Sequence, residues 1–151
     1  MSIKRQTALI LFFALLTSGL AAAATQNEIP AVALMQPAQL NSQMKDVRSG
    51  KIVLIYVGFR VMYEMARIPG STFVGTASTP EGLEDLRKYA AKFPRSQQIV
   101  IYCGCCPWSH CPNIRPAYQT LHDMGFSRLK AVYMPERLGD DWTAKGYPIE
   151  R

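Results

Sequence analysis

Outside nine consecutive positions, Cys103 to Cys111, this chain of 151 residues contains no cysteine. A disulfide framework spread over the fold is thereby excluded, and the chain is long enough to bury a core without one. No internal repeat or low-complexity tract breaks the sequence, which points to a single domain. No Cys-x-x-Cys-His sequence occurs, so covalent haem attachment is excluded. Lysine and arginine, 17 against 11 acidic residues, are scattered rather than clustered, and nucleic acid is not an expected partner.

The apolar stretch at residues 8–16 is shorter than the roughly 20 residues that span a bilayer. It follows Lys4 and Arg5 and precedes Ala21-Ala22-Ala23-Ala24, the order of a cleaved secretory signal. Residues 1–24 are read as that signal and residues 25–36 as a leader before the domain proper. With no cysteine near the cleavage point, a lipid anchor is not expected. The expected location is the periplasm, with no membrane association after signal cleavage. Loss of Lys4 and Arg5 leaves 15 basic against 11 acidic side chains, a mildly basic chain of ordinary surface charge.

From residue 37 onward, helix and strand signals alternate. Leu40, Met44 and Val47 recur at helical spacing, ended by Ser49-Gly50. Residues 52–57 are a continuous apolar run rich in β-branched side chains, suited to a strand buried on both faces. Ile68-Pro69-Gly70-Ser71 reads as a turn before a short apolar piece at Phe73-Val74. Ser78-Thr79-Pro80-Glu81 opens a helix with a hydroxyl cap, a proline in the first turn and an early acid. Its inner face is Leu83, Leu86, Tyr89 and Ala90. Residues 99–102 form a second buried strand that runs directly into Cys103. Asn113 is placed to cap a helix whose inner positions are Ile114, Ala117, Tyr118, Leu121 and Met124, with Gly125 as terminator. A third strand is expected at residues 129–133 and a short helix at 140–145. The alternation implies an α/β fold, a mostly parallel sheet with helices on both faces.

The chemistry concentrates in Cys103-Gly104-Cys105-Cys106-Pro107-Trp108-Ser109-His110-Cys111. Thiols this close together can hold a metal, form disulfides or carry a reactive sulfur. Cys103 is distinguished by its place at the carboxyl end of a strand, where open α/β sheets position their sites.

The order of these pieces resembles a rhodanese-like sulfurtransferase domain. The resemblance spans residues 37–150 of a domain read as residues 37–151, and rests on the buried strand at 52–57, Ile68-Pro69-Gly70-Ser71, the strand leading into Cys103, Met124-Gly125-Phe126, and Trp142 with Gly146-Tyr147-Pro148-Ile149. It implies that Cys103 carries sulfane sulfur as a persulfide. The sulfur would come from a small donor such as thiosulfate and pass to a thiol or protein acceptor, with no cofactor. A loop of backbone amides followed by a helix amino terminus would lower the pKa of such a thiol.

The chain departs from the family pattern in three places. Tyr56-Val57-Gly58 stands where the family has Asp, one residue, then Arg. Ala66-Arg67-Ile68-Pro69-Gly70 stands where it has Gly-His-Ile-Pro-Gly, and the loop after Cys103 is longer and holds three further cysteines. Cys105, Cys106 and Cys111 are candidate relay or resolving thiols, and Arg115 is the candidate anion-binding residue at the helix start. The alternative reading is a non-catalytic metal-binding or thiol-redox module on the same fold. It would hold zinc or cuprous copper on Cys105, Cys106, His110 and Cys111, or with Cys103 replacing Cys105. Pro107 and Pro112 shape the loop, Trp108 packs it onto the domain, Trp142 is a core residue, and His122 is a surface residue.

Overall fold

A computed structural model describes residues 28–151. The signal reading of residues 1–24 lies outside the described residues. Five strands, β1 (Leu34–Met35), β2 (Ile52–Tyr56), β3 (Thr72–Phe73), β4 (Gln98–Tyr102) and β5 (Arg128–Val132), form one sheet in the order β1-β5-β4-β2-β3. Every pairing within it is parallel. Six helices connect and cover the strands: α1 (Pro37–Ser42), α2 (Met44–Arg48), α3 (Arg60–Met65), α4 (Pro80–Ala90), α5 (Ile114–Asp123) and α6 (Leu138–Asp141). Among the described residues, no helix is long and apolar enough to cross a membrane.

The central strands carry the fold because their side chains are apolar on both faces. Along β4, Ile99 and Ile101 pack with Leu86, Ala90, Ile114, Ala117 and Leu121 of α4 and α5. Val100 and Tyr102 point the other way, into a second core with Leu40, Met44, Val47, Leu138 and Trp142. Each fully buried Leu or Ile contributes about 1.5–3 kcal/mol relative to exposure, so these two cores hold helices on both faces, as the continuous apolar runs imply. Trp142 is fully buried and its Nε1 donates to the Pro148 carbonyl at 2.7 Å.

Several boundaries differ from the sequence reading. Leu34–Met35, in the segment read as leader, is a strand paired with Ala131 and Val132. The helix expected through Val47 is two, α1 and α2, broken at Gln43 (φ −103°, ψ 12°). The last helix is a single turn at Leu138–Asp141 followed by a 3-10 turn at Thr143–Lys145. Helix α3 was not anticipated, because none of its residues is fully buried and only Tyr63 packs, partly buried, against the second core.

Two glycines seat α4 against the segment before it. A Cβ on Gly82 would lie 2.1 Å from the Thr76 carbonyl oxygen, and one on Gly75 would lie 2.7 Å from the Gly82 Cα. Thr79 completes the seat, its Oγ1 accepting from the Gly82 backbone N–H at 3.0 Å. Gly82→Ala is expected to destabilise the protein by about 1–3 kcal/mol through forced overpacking, read as a lower midpoint in urea unfolding. An unchanged midpoint would show that α4 is free to shift.

Candidate active site

The alternation along β4 continues into the loop, so Cys103 follows Ile99 and Ile101 onto the α5 face, where Cys111 and Ile114 also pack. Gly104 then turns the chain at φ +70°. A Cβ there would meet the Leu138 Cβ at 2.9 Å, and the Gly104 carbonyl accepts from the Leu138 N–H at 3.0 Å. The loop therefore folds tightly over the start of α6. Cys103, with Gly104, lines a cavity of about 220 Å³ whose other walls are Tyr56, Met62, Met65, Ala66, Leu138 and Thr143, with Arg137 and Gly139. Helix α3 supplies two of those walls, Met62 and Met65, from an apolar face otherwise open to solvent.

All four cysteines are free thiols. Their sulfurs lie within 4.8 Å of one another, with Cys103 Sγ 2.9 Å from Cys105 Sγ and Cys105 Sγ 3.4 Å from Cys106 Sγ. Asn113 organises the group. Its side chain is fully buried, and its Oδ1 accepts from the Ser78 backbone N–H at 2.9 Å rather than capping its own helix. That contact turns Nδ2 toward the sulfurs, 3.7 Å from Cys103 Sγ and 3.9 Å from Cys105 Sγ.

The backbone amides at the start of α5, those of Asn113 and Ile114, donate to Cys111 Sγ. Hydrogen bonds from the Cys103 and Cys105 thiols, with these amides, pull Cys111 down to about 2. Cys103 moves the opposite way: its hydrogen bonds to Cys105 and Cys111, together with burial, push its thiol well above the ordinary range. Burial pushes Cys106 up to about 12, reinforced by its contact with Cys105. The shared protons thus draw negative charge toward Cys111 and away from Cys103, Cys105 and Cys106. Burial likewise holds the Tyr56 phenol neutral, its pKa pushed well above the ordinary range. Its Oη is buried with no hydrogen-bond partner among the described residues.

The remaining candidates lie apart from this centre. Arg115 Nη1 donates to the Trp108 carbonyl at 3.2 Å and its Nε pairs with Glu28 at 3.5 Å. Arg137, not Arg115, is the arginine among the residues that line the cavity, and its guanidinium pairs with Asp140. Sequence reasoning did not single out Arg137, because only the folding of the β5–α6 connection brings it there. His110 is exposed, its Nδ1 2.9 Å from Ser109 Oγ, and it lies outside the four-sulfur group. Trp108 stacks edge-on against Tyr133 and its N–H donates to the Pro135 carbonyl, which fastens the loop to the end of β5. Arg67 pairs with Glu150 at 3.3 Å, and His122 is a surface side chain stacked on Tyr118.

No protein-family model and no curated protein matches the chain. Solved structures do. The rhodanese-like domain of an Anabaena protein superposes with a TM-score of 0.56 at 20% identity, covering 78% of each chain. A Bacillus halodurans protein gives 0.59 at 18% identity, covering 79% of this chain and 77% of its own. A Rhodopseudomonas palustris protein of unknown function, a possible tyrosine phosphatase, gives 0.55 at 20% identity over 78% of this chain and 83% of its own. Together with the parallel five-stranded sheet and the cysteine at the end of its central strand, these likenesses show that the chain has the rhodanese-like fold.

Proposed function

We propose that this protein is a periplasmic sulfurtransferase that carries sulfane sulfur as a persulfide on Cys103, with Cys111 as proton acceptor and Cys105 as resolving thiol. The observation that carries this reading is the placement of Cys103. It ends the central strand, lines the cavity, and has a second thiol 2.9 Å away. With thiosulfate as the representative donor, the Cys103 sulfur attacks the outer sulfur while its proton passes to the Cys111 thiolate. The S–S bond of the donor breaks and sulfite leaves with the electron pair. Cys103 then bears a persulfide anion, Cys111 is a thiol, and charge is conserved. A raised Cys103 pKa is compatible with this step, because the Cys111 sulfur, within 4.8 Å, supplies a base close by.

Arg137 is the cation on the cavity wall available to an anionic donor, and the unpartnered Tyr56 hydroxyl is a neutral donor for the incoming sulfur. Two exits follow from the persulfide. An external nucleophile such as cyanide takes the terminal sulfur and returns Cys103 as a thiolate. In its absence Cys105 attacks the Cys103 sulfur, forming a Cys103–Cys105 disulfide and releasing the terminal sulfur as hydrogen sulfide. That sequence reduces the sulfane sulfur and oxidises two thiols. Cys106, 3.4 Å from Cys105, is the next thiol in line to exchange with this disulfide.

Reduced protein incubated with thiosulfate and cyanide is expected to yield thiocyanate, and without cyanide the Cys105→Ser variant, in which resolution is blocked, should show one added sulfur in its intact mass. Cys103→Ser should abolish both, and Cys111→Ser should slow turnover by about 10²-fold, the usual worth of a general base. Tyr56→Phe should cost up to about tenfold, the worth of one hydrogen bond. Turnover that survives Cys103→Ser would sink the assignment.

The pH dependence separates the thiols. Alkylation by iodoacetamide, read residue by residue by peptide mass spectrometry, should be nearly independent of pH across neutrality at Cys111, whose pKa is lowered. At Cys103, whose pKa is raised, it should climb with pH through and beyond neutrality. Cys111→Ala removes both the neighbouring charge and the acceptor, so it should shift the Cys103 profile to lower pH. An unshifted profile would show that Cys111 does not hold the charge.

A further inference from the structure

We propose that Cys103, Cys105, Cys106 and Cys111 together form a closed four-thiolate site for one zinc ion, and that the ion competes with sulfur for Cys103. The inference stands on geometry and does not depend on sulfur transfer. A tetrahedral zinc with Zn–S bonds of about 2.3 Å has sulfur–sulfur edges of about 3.8 Å. The four sulfurs here span 2.9 Å at the closest pair to no more than 4.8 Å, which brackets that edge, so small side-chain rotations suffice to surround one ion. The ligand set is entirely sulfur, which selects a thiophilic metal, and four sulfurs in tetrahedral reach favour zinc over a cuprous ion.

The surrounding groups suit thiolates rather than thiols. Asn113 Nδ2 faces Cys103 and Cys105, and its orientation is fixed because Oδ1 is occupied by the Ser78 N–H. Such N–H···S bonds hold metal-bound sulfurs in place and offset their charge. Cys105 and Cys106 are only partly buried, which gives the ion a way in, whereas Cys103 and Cys111 close the inner side. The set differs from the sequence-based alternative: Cys103 replaces His110, whose ring is exposed and engaged with Ser109. With four protein ligands the ion has no open position, so it acts as a structural and masking ion and not as a Lewis acid. Binding displaces the thiol protons, and it removes Cys103 from reaction until the ion leaves.

The test uses reduced protein stripped of metal with a chelator and then titrated with zinc under argon. Native mass spectrometry should show one retained zinc per chain, and all four cysteines should become protected from iodoacetamide. Cobalt(II) in place of zinc should give the intense visible absorption of a tetrahedral thiolate complex. His110→Ala should leave zinc affinity unchanged, whereas Cys106→Ser should lower it at least tenfold. Asn113→Asp, which keeps the oxygen facing Ser78 and loses the amide donor, should lower affinity by about 10–100-fold. Protein that is folded by circular dichroism yet retains no zinc would overturn the proposal. So would protection of fewer than four thiols, equal losses from His110→Ala and Cys106→Ser, or retention of cuprous copper but no zinc. Thiocyanate formation from thiosulfate and cyanide by the metal-free protein is a separate readout: its absence with zinc retained sinks the sulfur-transfer reading and the competition that rests on it but leaves the zinc site, and its presence without zinc binding sinks the zinc site alone.

Discussion

The thiol loop depends on one buried amide. Asn113 has no solvent to satisfy either end of its side chain, so both ends must find partners within the fold. The oxygen takes the Ser78 N–H just before α4, and the nitrogen is then obliged to face Cys103 and Cys105. This joins the start of α4, the end of β4 and the start of α5 through a single side chain. The polarity that results also has a chemical direction. Two N–H donors aimed at sulfur favour the thiolate over the thiol, as do the backbone amides on Cys111.

Against that preference stands the crowding of the sulfurs themselves. Four thiols within 4.8 Å cannot all ionise, because each added charge is opposed by its neighbours in a partly buried site. Sharing protons draws charge toward Cys111 and leaves the surplus donors of the site underused. A disulfide removes sulfurs from the titrating set, a persulfide moves the charge outward to its terminal sulfur, and a divalent cation neutralises the sulfurs as thiolates. The two proposed occupants, sulfur and zinc, are therefore alternative resolutions of the same electrostatic conflict, and Cys103 cannot serve both at once.

Much of the fold was legible in the sequence because its central pieces are long and locally consistent. The runs that became β2 and β4, the capped start of α4, the inner face of α5 and the Gly125 stop, at φ +85°, each declare themselves within a few residues. The pieces that were not legible lack a local signal. β1 has two residues and exists only through its pairing with β5. Helix α3 fully buries no residue and turns only Tyr63 partly inward, too little for a periodic face. The break at Gln43 leaves the spacing of Leu40, Met44 and Val47 undisturbed. In the site, the place of Cys103 at a strand end was visible, whereas the work of Asn113 was not. Its residue type suited a helix cap, but its partner, Ser78, is 35 positions away. The same holds for Arg137, carried to the cavity wall by the connection after β5.

The strand end beside the cluster follows from the sulfurs as well. Where the resembled family pattern places an acid and an arginine, this chain has Tyr56 and Gly58. A carboxylate at position 56 would add charge next to thiols that already oppose further ionisation, whereas a phenol held neutral by burial presents a hydrogen-bond donor and no charge. At position 58 even a methyl group would lie 2.5 Å from the Tyr56 hydroxyl and 2.9 Å from Cys103 Sγ, so with the phenol in this place the position has no room for a side chain. Tyr56 and Gly58 thus go together: the ring that replaces the acid occupies the space in which the arginine would begin, and the end of β2 is left without charge.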